Sequence, residues 1–178
     1  AGIKAKVIDP KEAIAMEPSV NPSLIGAVVV PDGAIDPFRL TAANMTDAKL
    51  HGAKVLTYSE VLGIVKEGNI VKGVKIKNKR TGEVDTFYAQ VTVNAGGIWG
   101  QGIAQMAGAS ITMFPAKGSL LIFGHRVNNV VINRCRKPAN ADILVPGETI
   151  SLIGTTSDRV GLEEVDKLRV TPEEVKVL

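Results

Sequence analysis

The 178-residue sequence is poor in the residues that build covalent and metal-centred chemistry. It holds one cysteine, two histidines, one tryptophan, two tyrosines and four phenylalanines. A lone Cys135 excludes an intrachain disulfide framework and a cysteine-rich zinc site. His51 and His125 stand far apart in the chain, which argues against a histidine-based metal centre, so no metal is expected. No run approaches the roughly 18 uninterrupted apolar residues of a membrane span, and no charged-then-apolar leader opens the chain. Aromatics make up 4%, and 21 Lys and Arg face 18 Asp and Glu for a net charge of +3. That is a weak field without the basic-aromatic interleaving of a nucleic-acid surface, so nucleic acid is not an expected partner.

What is present is ordinary for a globular domain: 45% hydrophobic and 22% charged residues, enough to bury roughly 70% of the unfolded surface. The chain begins Ala1-Gly2-Ile3 and ends within a helix-like run at Val177-Leu178, which reads as a piece of a longer protein.

Local signals order the elements. Residues 3–8 read as a short strand. Asp9-Pro10 reads as a helix cap followed by a first-turn proline. Ala27 to Val30 reads as a buried strand. Asp36-Pro37 repeats the cap signal ahead of a helix with Phe38, Ala42, Met45 and Ala48 at helical spacing, closed by Gly52. Strands are expected at 54–58, 61–66, 71–79 and 84–89, with turns at Glu67-Gly68-Asn69 and Thr81-Gly82-Glu83. Lys75, Lys77 and Lys79 alternate onto one solvated face. Val91 to Asn94 reads as a strand running through Ala95-Gly96-Gly97 into a helix from Ile98 to about Ala107. Short strands follow at 120–123, 130–133, 143–145 and 151–153. Thr171-Pro172-Glu173-Glu174 is a capping-box helix start.

Four segments carry candidate chemistry. The glycines 96, 97, 100 and 102 sit at a strand-to-helix junction, where a backbone can approach a phosphate or ring closely. They do not make G-x-G-x-x-G, because Gln105 stands where the third glycine would fall, and tight strand–helix packing explains them equally well. Lys117-Gly118-Ser119 could aim an ammonium at an anion or be a surface turn. His125, Arg126, Arg134, Arg136 and Lys137 form a basic run suited to phosphate or carboxylate, or simply a basic loop. Gly154-Thr155-Thr156-Ser157-Asp158-Arg159 offers hydroxyls, backbone N–H groups and a cation for an anion or cofactor nest, or is a simple turn.

Several stretches together resemble a known family: residues 30–40, Asn44-Met45 through His51-Gly52-Ala53, residues 93–99, 114–120, 131–138 and 153–156. They are similar to FAD-dependent glycerol-3-phosphate dehydrogenases, most of all the large subunit of the anaerobic enzyme, within the D-amino-acid-oxidase-like flavoproteins. The resemblance implies an α/β (α+β) fold: part of a doubly wound FAD-binding domain interleaved with a mixed or antiparallel substrate sheet. The implied divisions are 1–36 as a connecting region, 37–110 as part of the FAD-binding domain with its β-meander, 111–160 as the substrate sheet and 161–178 as a C-terminal helical segment.

It implies FAD as cofactor, contacted by Val61, Ala95, Gly96, Gly97, Trp99, Gly154 and Thr155. It implies glycerol 3-phosphate as substrate, with Lys117, Arg134, Arg136 and Arg159 for its phosphate and His125 as candidate base. Electrons would leave to quinone through partner subunits, from a cytoplasmic protein peripheral to the inner face of the membrane. The family's G-x-G-x-x-G is missing from this sequence, so the chain alone is expected to bind FAD poorly and to be inactive. Another flavin oxidase of the group, acting on an amine or hydroxy acid, and a non-catalytic binding module are the alternatives.

Overall fold

A computed structural model describes residues 2–178, which divide into two compact units. One comprises the chain up to Pro37 together with Ala116–Leu178; the other is Phe38–Pro115.

The first unit opens with β1 (Lys6–Ile8), α1 (Pro10–Met16) and β2 (Ala27–Val29), and the two strands pair antiparallel with Val7 opposite Val28. The cap signal is realised: the Asp9 side chain accepts the Glu12 N–H at 2.8 Å, and Pro10 lies in the first turn. Ile8 and Ala13 are buried. β2 is not the buried strand that its β-branched run suggests. It has one neighbour, and Val28 is 46% exposed.

The second unit starts with α2 (Pro37–Leu50), ended by Gly52 at φ +89°. The helix forms where expected, yet buries none of its residues, and Phe38 and Leu50 are 85% and 80% exposed. β3 (Ser59–Glu67), β4 (Ile70–Asn78) and β5 (Val84–Tyr88) form an antiparallel meander. Gly68 at φ +58° and Gly82 at φ +80° supply the left-handed turn positions that a β-carbon disfavours. Gly73 lies so close to β5 that a β-carbon there would run into the Phe87 carbonyl. A 3₁₀ turn, Gly97–Trp99, leads into α3 (Gly100–Met106), whose last carbonyls include Ala107 O, bonded by Lys66 Nζ at 2.8 Å.

Two expected strands are absent. Residues 54–58 are irregular up to Tyr58, which sits at φ +54° with the Arg80 guanidinium stacked 3.7 Å above its ring. Residues 91–94 are also irregular, with Val91 and Val93 76% and 80% exposed. The physical reason is shared: a strand exists only beside a partner, and no described strand pairs with either segment.

The chain then re-enters the first unit. β6 (Ala116–Lys117) leads to β7 (Leu120–Ile122), β8 (Ile132–Asn133), β9 (Ile143–Pro146) and β10 (Ser151–Gly154), followed by β11 (Asp158–Arg159). The four-stranded sheet runs in the order β7-β10-β9-β8, all antiparallel, and β11 pairs with β6. A 3₁₀ segment, Leu162–Lys167, precedes α4 (Pro172–Val177). α4 carries the expected capping box: Thr171 Oγ1 accepts the Glu174 N–H at 3.3 Å, and the Glu174 carboxylate accepts the Thr171 N–H at 2.8 Å.

Candidate functional site

The glycines of the junction differ in their surroundings. A β-carbon on Gly96 would meet Ile103 Cδ1 at 2.7 Å and Asn94 Oδ1 at 3.1 Å, so Gly96 serves packing against α3. Gly97 has φ +54° and nothing within 4 Å of that position, so its exposed backbone is open to close approach. Asn94, missed in the sequence as a strand residue, holds the turn. Its amide donates to Gly100 O at 2.9 Å and its carbonyl accepts the Gly96 N–H at 3.1 Å. Ala95 and Trp99 are exposed beside it. Val61 is half-buried in β3 opposite Ile76. All of these residues belong to the second unit.

In the first unit the structure brings Lys117 together with the Gly154-Thr155-Thr156 turn. Gly118 is what permits it, since a β-carbon there would run into the Thr155 hydroxyl. Lys117 is not an open cation. Its ammonium donates to Glu174 Oε2 at 2.7 Å and to Arg169 O at 2.8 Å, and its side chain is 15% exposed. The same carboxylate accepts Ser119 Oγ at 2.7 Å and Thr156 Oγ1 at 3.2 Å on Oε1. Thr156 Oγ1 in turn accepts the Ser119 N–H at 2.9 Å. The Lys117 ammonium above all, then the Thr171 N–H and the Ser119 hydroxyl, pulls the Glu174 carboxyl down to about 2, against the opposing effect of burial. Gly154 is buried at the end of β10, and Thr155 is exposed between two buried residues.

Arg134 and Arg136, the phosphate candidates, also have an acidic partner. Arg134 directly follows β8, and its guanidinium lies 3.2 Å from Asp142 Oδ1 and 3.2 Å from the Asn140 carbonyl. Arg136 Nε donates to Asp142 Oδ1 at 2.9 Å. Both forks therefore close on one carboxylate and staple the 134–142 loop. The Ala139 N–H, ahead of the two guanidiniums and against partial burial, holds Asp142 below the ordinary carboxylate range. Cys135, between them, is exposed. His125 is exposed in the bend after β7. Arg159 is exposed in β11, opposite Ala116.

Two further buried polar groups escaped the sequence reading. Asn128 donates to Val130 O at 2.7 Å and to Leu144 O at 3.3 Å, and accepts Ser151 Oγ at 2.6 Å. Glu17 accepts the Asn129 and Val130 N–H groups across 112 and 113 residues. Burial pushes the Glu17 carboxyl up, but the Asn129, Ser19 and Val130 donors together outweigh it and hold it below its ordinary value. Among the described residues, no group of three or more His, Cys, Asp or Glu could hold a metal ion, and no helix is long and apolar enough to cross a membrane.

This arrangement of an open glycine turn, a meander and an antiparallel sheet has relatives. The profile of the FAD dependent oxidoreductases (DAO) matches residues 1–178. The chain belongs to the FAD dependent oxidoreductase family. It is 64% identical over 178 residues to a subunit of the anaerobic glycerol-3-phosphate dehydrogenase of Escherichia coli (strain K12), covering 100% of this chain and 33% of that protein. The chain thus spans about a third of the length of this curated relative. Among solved structures it is similar to L-proline dehydrogenase from P. horikoshii (TM-score 0.73, 29% identity, 98% of this chain and 46% of that one). The glycerol-3-phosphate dehydrogenase from Bacillus halodurans, solved with FAD, shares the fold at TM-score 0.69 and 23% identity over 98% of this chain and 38% of that one.

The family is FAD-dependent, and the residues present fit part of such a group. The open, left-handed Gly97 and the exposed backbone around it can take a flat ring or chain at contact distance. They do not make a pyrophosphate cradle, because Gly96 is filled by Ile103 and Asn94.

Proposed function

We propose that this chain is part of an FAD-dependent dehydrogenase that oxidises sn-glycerol 3-phosphate to dihydroxyacetone phosphate and passes electrons through partner subunits to quinone. The observation that carries this reading is the 64% identity, unbroken over the whole chain, to a subunit named for that activity. When bound, FAD supplies the acceptor for the hydride leaving C2. Ala95, Gly96, Gly97 and Trp99 contact it, with Val61 from the meander. The open backbone at Gly97 supports that role. Gly154 and Thr155 contribute from the antiparallel sheet. Residues 37–110 are then part of the FAD-binding domain and residues 111–160 the substrate-binding sheet.

A phosphate dianion calls for several cations, and Arg134, Arg136 and Arg159 are the candidates, Lys117 being already paired with Glu174. For Arg134 or Arg136 the phosphate must displace or share the Asp142 carboxylate, which makes binding an exchange of anions on a prebuilt fork. His125 is the candidate to receive the hydroxyl proton, since an imidazole nitrogen can accept one. The protein works at the cytoplasmic face of the membrane, in a peripheral complex.

The test uses the full-length protein loaded with FAD. Anaerobic addition of sn-glycerol 3-phosphate should bleach the visible flavin band, and glycerol should not. A second reading, oxidation of an amino acid, draws support from the 29% identity to L-proline dehydrogenase. Bleaching by L-proline and not by glycerol 3-phosphate would replace the first reading with the second.

A further inference from the structure

Glu174 is a heavily bonded side chain of the split unit. Its carboxylate receives four donors from three separate parts of the chain: Lys117 Nζ and Ser119 Oγ from the turn between β6 and β7, Thr156 Oγ1 from the turn after β10, and the Thr171 N–H at the start of α4. It is 6% exposed. Four donors fill the lone-pair capacity of an ionised carboxylate. A buried ion pair of this kind is a poor route to stability, because apolar residues of similar volume usually do as well or better. What it does provide is a defined geometry, since every member has to be in place for any to be satisfied.

The geometry it defines is specific. Ser119 and Thr156 are fixed on one carboxylate oxygen and to each other, and the Thr156 N–H donates to Ser119 O at 3.3 Å. Gly118 lets the two turns touch. Thr155, exposed between buried Gly154 and buried Thr156, has its hydroxyl beside Gly118 and donating to the Thr156 carbonyl at 2.9 Å, so this cluster sets its position.

We propose that Glu174 is a positioning residue, whose carboxylate locks the Lys117–Ser119 turn against the Gly154–Thr156 turn and so sets where Thr155 meets the bound flavin and substrate. The proposal rests on the reading of the protein as a flavin dehydrogenase with Thr155 at its ligand. Glu174 itself touches neither cofactor nor substrate. Lys117 acts in this cluster as the counter-ion of Glu174.

The experiment compares three variants of the full-length holoenzyme: Glu174→Gln, Thr156→Val and Asp9→Ala. The first removes the charge, the second removes one hydroxyl without touching the ion pair, and the third weakens α1 elsewhere in the same unit. The readouts are the visible absorbance of the bound flavin, flavin content, melting temperature, and KM and kcat for sn-glycerol 3-phosphate. The expected result is an altered flavin spectrum in Glu174→Gln and Thr156→Val and a kcat/KM lower by about fivefold or more, with Asp9→Ala changing melting temperature alone. If Glu174→Gln does not fold, Thr156→Val decides. Flavin spectra superimposable on wild type with kinetic constants within about twofold overturn the proposal, whatever the melting temperature does. Failure of the underlying reading looks different: wild-type flavin would not be reduced by glycerol 3-phosphate, while the spectral comparison, which needs no substrate, still tests Glu174.

Discussion

The two units are built on opposite plans. Phe38–Pro115 is local: two tight turns join three strands, and α3 leans on β3. The split unit is non-local, with a sheet order of β7-β10-β9-β8 and a set of buried polar side chains, Glu17, Ser119, Asn128, Ser151, Thr156 and Glu174, each with a partner. One unit is held by neighbours in sequence and the other by charges and amides that meet across long stretches of chain. The difference teaches where each should fail. The hairpin sheet should be sensitive to backbone clashes, and the split unit to loss of polar partners and to acid.

Acid should separate them most. Glu17, Asp142 and Glu174 all lie in the split unit and all have folded pKa values below their ordinary ones. Their contributions are therefore fully present above the unfolded carboxylate value and are lost as protonation is forced on the folded state. For Glu174 that window runs from 4.5 down to about 2. Far-UV circular dichroism through this range should show the split unit melting, and Glu174→Gln should flatten the pH dependence. An unchanged acid profile in that variant would remove Glu174 from the account.

Next in size is Asn128→Ala, which leaves two carbonyls and the Ser151 hydroxyl without their amide partner. At about 1–3 kcal/mol per buried group left unsatisfied, a loss of about 2–4 kcal/mol is expected. The single tryptophan, Trp99, lies in the hairpin unit, so its fluorescence midpoint in denaturant should stay fixed while the circular dichroism transition moves. A shift of both probes together would break the contrast between the units.

Gly73→Ala reverses that experiment. Its β-carbon would collide with the Phe87 backbone, and forcing β4 from β5 should destabilise the meander by about 1–3 kcal/mol. Amide exchange in β5 should accelerate, with the β9–β10 hairpin unaffected. The smallest effect is Asp9→Ala, the loss of one N-cap bond, at about 0.5–2 kcal/mol, measured as a shift in the split unit's denaturant midpoint at constant m-value.

The same local and non-local division decides what the sequence discloses. Asp9-Pro10, Thr171-Pro172-Glu173-Glu174 and the turns at 67–69 and 81–83 are readable because cap and turn chemistry is complete within four residues. The antiparallel strands at 120–122, 143–146 and 151–154 are readable from short apolar runs between glycines and prolines. Residues 54–58 and 91–94 carry strand composition, but their state depends on partners that composition does not report. In the candidate site, Lys117, Ser119 and Thr156 stand in segments whose chemistry is visible in the sequence. That Glu174 gathers them is not visible, because the contact to Lys117 spans 57 residues and the glutamate already has a sufficient role as a cap. The shared grip of Arg134 and Arg136 on Asp142 is hidden for a related reason: a two-residue spacing suggests a common face, and only the loop geometry reveals the acid inside it.

Glu17 has a consequence for the making of the protein. Its partners, Asn129 and Val130, are translated more than a hundred residues later. At ribosomal rates of roughly 5–20 residues per second, that is a delay on the order of ten seconds. In that interval the whole of Phe38–Pro115 emerges and can close its hairpins, while the residues before it, with Val7 and Ile25 79% and 98% exposed, wait for the other half of their unit. The order of maturation thus departs from the order of synthesis: the middle matures first, and elongation speed sets how long the beginning stays open.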